Sequence, residues 1–350
     1  MNIRGLVALS AEQPLKIGEI TLREVQDSDV LIDILYCGVC HSDLHMARNE
    51  WGVSHYPLVP GHEIVGRVAQ CGKSVTAFTP GQLVGVGVMV DSCGHCTFCR
   101  QHEEQYCEAG FTATYNGTDR YTGDLTRGGY AKNIIVDQNF VVSVPDNLDP
   151  AAVAPLLCAG VTVWSPLRYF EVKPGDKVGV VGLGGLGHMA IKLASAMGAE
   201  VTLFTTSPGK VEDARRLGAS QVVISKDNVA MAACAATLDI ILDCVAAPHP
   251  LDAFLATLKT NGRLVLVGIP DSPHPSPDVT PLVFRRLSIS GTSIGSIAET
   301  QEMLDFCGQH NITADIETIR GEEIEQAFSR MLQGDVKYRF VIDIAATALS

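Results

Sequence analysis

No stretch of this 350-residue chain approaches the ~20 consecutive apolar residues of a membrane-spanning helix, so no membrane span is expected. The opening run, MNIRGLVALSAEQPL, holds one Arg, an apolar stretch too short for a secretory h-region and no clear small-residue cleavage site. A cytoplasmic protein is therefore the default expectation. Positive charge is scarce: 26 Lys and Arg against 39 Asp and Glu leave a net charge of −13. A chain this acidic repels phosphate backbones and anionic lipid, which argues against nucleic-acid and membrane partners. Only 19% of residues are charged while 46% are hydrophobic, a balance that excludes a disordered chain. Internal repeats and low-complexity runs are absent. The eleven cysteines cannot all pair within one chain, and their spacing is not that of a disulfide scaffold. In a reducing compartment thiols stay free, so these need another use or none.

The length fits two domains at roughly 100–200 residues each. Residues 1–150 read as short strands with Gly and Pro turns: VLIDILYCGVC, IVGRVAQCG and LVGVGVMVD carry β-branched residues in rough alternation. This predicts a mainly-β, barrel-like unit with functional loops. From about residue 151 the pattern becomes strand, helix, strand. Strands are expected at 178–182, 201–204, 221–224, 239–243, 263–268 and 287–291, with helices at 185–197, 208–217 and 250–259. Such alternation predicts an α/β fold with a doubly wound, six-stranded parallel Rossmann sheet over 151–290. PDSPHPSPDVTP (270–281), with five prolines, reads as a loop. Beyond 290, helices at 299–309 and 321–333 and strands near 314–319 and 338–344 are expected to complete the first domain as its 291–350 segment.

Within GVVGLGGLGHMAIKLA, Gly182, Gly184 and Gly187 form G-x-G-x-x-G between a strand and a helix, and Gly185 and Leu186 complete the loop. The first glycine permits the tight turn, the second lets backbone approach a pyrophosphate, and the third lets helix and strand pack closely. The free N–H groups at the helix start then face the anion. An NAD site places Asp or Glu at the end of the second strand, for the ribose 2′-hydroxyl. Here that strand runs into Thr205, Thr206, Ser207, Pro208, Gly209 and Lys210. Hydroxyls and one positive charge suit a 2′-phosphate, so NADP is expected. The alternative is a solvated turn with Ser207 as a helix cap.

Cys93, Cys96, Cys99 and Cys107 have the spacing C-x2-C-x2-C-x7-C, four thiols within fifteen residues. Such a set encloses one tetrahedral Zn²⁺ with no open position, hence a structural site. An iron–sulfur cluster is the competing reading, although nothing else in the sequence suggests electron transfer. Cys-His-Ser-Asp-Leu-His (40–45), Gly-His-Glu (61–63) and Cys158 in PLLCAG are each ordinary alone. Together Cys40, His62 and Cys158 make a Cys2His set with one vacant position. That is the donor set of one class of catalytic zinc site, though spacing alone does not dictate it.

The motifs YCGVCHSDLH, YPLVPGHEIVGRV, the cysteine loop, APLLCAG, VGLGGLGHMAIKLA, ETQEMLDFC and GDVKYRFVID cover nearly the whole chain. On these the sequence resembles the zinc-dependent medium-chain alcohol dehydrogenases, in their cinnamyl-alcohol-dehydrogenase-like branch. It is very similar there to the bacterial NADPH-dependent aldehyde reductases. The resemblance implies a GroES-like catalytic domain holding two zinc ions. Catalytic zinc would be held by Cys40, His62 and Cys158. Glu63 would lie behind the metal and sometimes ligate it, and Asp43 would orient the ligand histidine. Ser42 would meet the substrate oxygen, and His45 would end a proton relay through the cofactor ribose. His41 would face the pyrophosphate. Trp51, Tyr115 and Ile294 would lie near the substrate cleft. The implied reaction is hydride transfer between NADPH and an aldehyde in a homodimer joined through its cofactor domains. A polyol or secondary-alcohol dehydrogenase of the same fold and an inactive zinc-binding dinucleotide sensor are the rivals. Cys37, Cys71, Cys234, Cys244 and Cys307 read as small core residues.

Overall fold

The structure, a computed structural model, describes residues 1–270 and 272–349. It divides into two compact units: Met1–Val161 with the described residues from Gly295 onward, and Thr162–Ile294. Among the described residues, no single helix is long and apolar enough to cross a membrane.

The second unit is built on six strands: β1 (Lys177–Val181), β2 (Glu200–Thr205), β3 (Gln221–Ile224), β4 (Leu238–Asp243), β5 (Leu258–Leu266) and β6 (Ser288–Gly291). They pair in the order β3-β2-β1-β4-β5-β6, all parallel. A parallel strand covered on both faces is apolar nearly throughout. Accordingly Val178, Val180, Val181, Ile240, Ile241 and Leu242 are all buried. The strand order reverses between β1 and β4, and that switch point opens a crevice at the strands' carboxyl ends.

Among the described residues, the helix Ala159–Tyr169 leads into this unit, and five more follow along the chain: α1 (Gly185–Ala196), α2 (Val211–Leu217), α3 (Asn228–Ala233), α4 (Asp252–Thr257) and α5 (Val279–Arg285). The elements expected from the sequence are here, with shifted ends. Residues Pro208–Lys210 form a 3-10 turn ahead of α2, and α4 stops at Thr257 because Leu258 already pairs in β5. The proline-rich segment expected to be loop as far as 281 gives way to α5 at Val279. The Asp278 carboxylate accepts the Thr280 N–H and caps that helix. Pro281 stands in its first turn, where a missing N–H costs nothing.

In the first unit, Asp29–Gly38 is the central strand of a seven-stranded sheet. It pairs antiparallel with Ile64–Cys71 and Asn133–Asp137 and, at its far end, with Arg339–Asp343. Arg339–Asp343 also pairs in parallel with Ile316–Arg320. The C-terminal strand therefore sits beside the segment that carries residues 38–45. Asp29, fully buried, is tied by Arg23 and by the Gln26 N–H, so its charge is paired on entering the sheet.

Candidate zinc and cofactor sites

Cys40 caps the helix His41–Ala47, and Asp43, three residues on, reaches back to accept the Cys40 N–H at 2.9 Å. This capping box fixes Cys40 at the mouth of the helix and turns Asp43 inward. His62 and Glu63 immediately precede the strand Ile64–Cys71, and Cys158 follows the 3-10 turn Ala154–Leu157. Cys40, His62, Glu63 and Cys158 thereby offer ligand atoms that all lie within 4.8 Å of one another. Asp43, His62, Glu63 and Cys158 are buried.

The surroundings orient this set. His62 Nδ1 lies 3.6 Å from Asp43 Oδ1, so its Nε2 points away from the carboxylate. Asp43 also accepts the Gly61 N–H and the Tyr130 hydroxyl, each at 3.0 Å. The Tyr115 ring stacks on His62 at 5.7 Å and 13°. Arg339 pairs with Glu63 and donates from Nη2 to the Val39 carbonyl at 2.8 Å.

The electrostatics follow from burial and neighbours. The Cys40 thiol is held well below its ordinary value, first by the Cys158 hydrogen bond, with His62 and Arg339 adding to it against burial. Burial pushes the Glu63 carboxyl up to about 7 despite Arg339. His62 is disfavoured as a cation by burial, yet Asp43 and Cys40 outweigh this and raise it to about 9. His62 Nε2 and Glu63 Oε2 are buried without hydrogen-bond partners. Such orphans cost about 1–3 kcal/mol each unless something fills them. Two thiols, an imidazole held by a carboxylate and a second carboxylate suit Zn²⁺ over the hard cations, so the residues fit that metal.

The second cluster is Cys93, Cys96, Cys99 and Cys107, again with all ligand atoms within 4.8 Å. Cys93 and Cys99 Sγ are 3.9 Å apart, close to the ~3.8 Å edge of a tetrahedron with Zn–S of ~2.3 Å. The Cys93 N–H points at Cys107 Sγ (3.5 Å) and the Cys96 N–H at Cys93 Sγ (3.4 Å), bonds that favour thiolate. Backbone N–H groups at Cys99 and Glu108 lower the Cys96 thiol to about 6.

In the second unit, Gly182 has φ +89°, and a Cβ at Gly187 would stand 2.0 Å from the Gly182 carbonyl oxygen. Only glycine serves at either position. Gly184 caps α1, and nothing lies within 4 Å of where its Cβ would be, so backbone there is open to a ligand. Gly185 and Leu186 form the first turn of α1 with free N–H groups. Lys210 donates to the Leu183 carbonyl at 2.8 Å, which brings its ammonium to the glycine turn. Thr205 is buried and accepts the Ser207 N–H, while Thr206 is exposed.

The remaining expected residues fall as follows. Ser42 Oγ is 3.2 Å from Cys40 Sγ, beside the first cluster. His45 bonds through Nδ1 to Glu50 and packs 5.1 Å from the Trp51 ring, which is 41% exposed. His41 is held below its ordinary value, chiefly by burial. Tyr115 is buried, and its phenol faces Asp43. Ile294, at φ +39°, closes the other unit. Arg339, Tyr130 and Glu50 escaped the sequence reading. Arg339 had a signal: an Arg opening the apolar strand RFVID needs a buried partner.

Residues 26–146 match the alcohol dehydrogenase GroES-like domain, and residues 185–309 match the zinc-binding dehydrogenase domain. The chain is 54% identical over 344 residues to aldehyde reductase YahK of Escherichia coli (strain K12), covering 98% of each. It belongs to the medium-chain dehydrogenase/reductase family, in the branch of cinnamyl alcohol dehydrogenases and aldehyde reductases. Among solved structures, a cinnamyl alcohol dehydrogenase (SbCAD4) from Sorghum bicolor superimposes with a TM-score of 0.96. It is 45% identical, with 100% of this chain and 99% of that one covered. The cinnamyl alcohol dehydrogenase (CAD) of Helicobacter pylori, complexed with NADP(H), gives 0.92 at 40% identity, covering 99% of each. Family membership makes this chain an NAD(P)-dependent oxidoreductase of the alcohol dehydrogenase and aldehyde reductase type, with two candidate zinc sites.

Proposed function

We propose that this chain is an NADP(H)-dependent zinc alcohol dehydrogenase that works chiefly as an aldehyde reductase. The observation that carries the reading is the largely buried Cys40–His62–Glu63–Cys158 cluster with an unpartnered His62 Nε2. In this reading, zinc sites occupy a catalytic domain of residues 1–150 and 291–350, and NADP occupies a domain of residues 151–290. Zinc at the cluster supplies a Lewis acid for the substrate oxygen, and NADPH supplies the hydride. Asp43 fixes the His62 tautomer, held in turn by Tyr130 and the Gly61 N–H. Ser42 holds a proton at Oγ beside the cluster. Glu50 occupies His45 Nδ1, so Nε2 is the atom that exchanges a proton at the relay's end. Trp51, Tyr115 and Ile294 are assigned to the substrate cleft, and His41 to the pyrophosphate.

NADP is favoured because β2 ends without an acid at Thr205, Thr206 and Ser207, while Lys210 sits at the glycine turn. The Helicobacter pylori relative was solved with NADP(H). A homodimer is supported by the sheet's free edge at β6 and by Ile269, Val279, Val283 and Phe284, all exposed on the same unit. The reduced thiols both clusters require suit the cytoplasm. The test is a panel of matched aldehydes, ketones and polyols with NADPH and NADH. NADPH oxidation by aldehydes is expected. A preference for polyols or for NADH, or no turnover at all, overturns the assignment.

A further inference from the structure

Segment 48–61 runs from the end of the helix His41–Ala47, past Trp51, to Gly61 ahead of His62. Segment 112–130 is bonded along it. Near His62 the main chain does the joining: the Gly128, Tyr130 and Gly129 N–H groups donate to the Val59, Pro60 and Gly61 carbonyls at 2.9, 3.0 and 2.8 Å. Farther out, side chains take over. Arg127 Nη1 donates to the Pro57 carbonyl at 3.0 Å. Asn116 makes two ties: its Oδ1 accepts the His55 N–H at 2.8 Å, and its Nδ2 donates to the Val53 carbonyl at 3.0 Å. An N–H needs an oxygen and a carbonyl needs an N–H, so these partners fix which way the amide faces. Asn116 is thus a two-point clip from one segment to the main chain of the other, and it ends two residues from Trp51. Its side-chain bonds reach neither zinc cluster.

Both sides of the clip are held. Asn116 stands at φ +59°, the left-handed region that asparagine tolerates better than most residues. Its turn is closed by Thr126, whose Oγ1 accepts the Gly117 N–H at 2.9 Å and donates to the Ala113 carbonyl at 2.8 Å. Its neighbour Tyr115 is buried against the His62 ring. Across the clip, Asn49 Oδ1 accepts the Ser54 N–H at 2.9 Å, and Ser54 Oγ donates to the Met46 carbonyl at 2.6 Å. Trp51 lies between these ties, with its ring 5.1 Å from that of His45. The clip therefore sets how far the Trp51 segment stands from the Tyr115 segment. We propose that Asn116 is a positioning residue that fixes the width of the substrate cleft between Trp51 and Tyr115, and with it the size of aldehyde accepted. The inference rests on the assignment of Trp51 and Tyr115 to that cleft.

The test uses N116G and N116D in the full-length, zinc-loaded enzyme. Glycine keeps the left-handed backbone without strain and deletes both ties. Aspartate keeps the β-carbon and the acceptor for His55, but sets an oxygen against the Val53 carbonyl. The first readout is acrylamide quenching of tryptophan fluorescence. It reports on Trp51, because the chain has two tryptophans and Trp164 is buried. The second is kcat and KM for benzaldehyde and acetaldehyde with NADPH. In N116G quenching should rise, and the ratio of kcat/KM for the two aldehydes should change about two- to ten-fold, mostly through KM, the effect of one hydrogen bond. N116D should move both readouts in the same direction by less. Zinc content and the NADPH dissociation constant should match the parent's. Parent-like quenching in N116G overturns the clip. Raised quenching with an unchanged aldehyde ratio, or an equal loss for both aldehydes, overturns the specificity role. Should N116G fail to fold, N116D decides on the same two readouts. If the parent reduces no aldehyde, the function proposed above fails and the specificity role with it, while raised quenching in N116G still supports the clip.

Discussion

Arg339 is a buried cation beside Glu63, Cys40 and Cys158, so its removal probes how the first cluster is held. Arg339 is 6% exposed and Glu63 0%. Its guanidinium pairs with Glu63 and reaches the Val39 carbonyl from both Nε (3.3 Å) and Nη2 (2.8 Å). Arg339→Met keeps much of the volume and deletes all of this. A buried carboxylate already pushed up to about 7 then loses its main counter-charge, and breaking a buried pair costs about 3–5 kcal/mol. At roughly 2–4 °C per kcal/mol for a unit of this size, the melting temperature should fall by about 6–20 °C. Glu63→Gln removes the orphaned charge, so E63Q/R339M should be more stable than R339M alone. The assay is thermal denaturation of zinc-loaded parent, single and double variants, with metal content measured in each. A loss below about 1 kcal/mol in R339M, or simply additive losses in the double variant, would refute the reasoning.

Two further outcomes are expected. Ser42→Ala should keep both zinc ions and the melting temperature while kcat falls by roughly 10²–10⁴, as measured by steady-state kinetics beside metal analysis. Asp119 and Asp239 are held below the ordinary carboxyl value. Burial acts against this at each, but the Tyr121 and Thr122 N–H groups and Arg23 outweigh it at Asp119, and Lys259 and the Lys177 N–H at Asp239. A carboxyl lowered on folding stabilises above its unfolded pKa, near 3.8, and that contribution is lost as pH falls through the folded value. Asp239→Asn should therefore flatten the fall in melting temperature between about pH 5 and pH 3; an unchanged slope would remove Asp239 from the acid transition.

The parallel sheet was legible because strands covered on both faces must be apolar, and the glycine turn because only Gly fits at 182 and 187. The cysteine loop was legible because its ligands are close in sequence. The first cluster was less so. Cys40, His62 and Cys158 lie far apart along the chain, and only the fold brings them together; without the family resemblance they read as ordinary residues. What surrounds them was hidden further. Tyr115 read only as cleft lining, and nothing in the sequence shows that its ring lies on His62 or that its phenol faces Asp43. Arg339 is some 276 residues from Glu63, and no local pattern pairs them. The proline-rich segment ended early because Asp278 caps a helix, a signal outweighed by five prolines.

The most direct test of the account is zinc content measured with NADPH-dependent aldehyde reduction in the parent and in Cys158→Ser. The account predicts two zinc ions per parent chain, one in the variant, and loss of nearly all turnover with the lost metal. A variant that retains both ions, or that reduces aldehyde at the parent's rate, would contradict it.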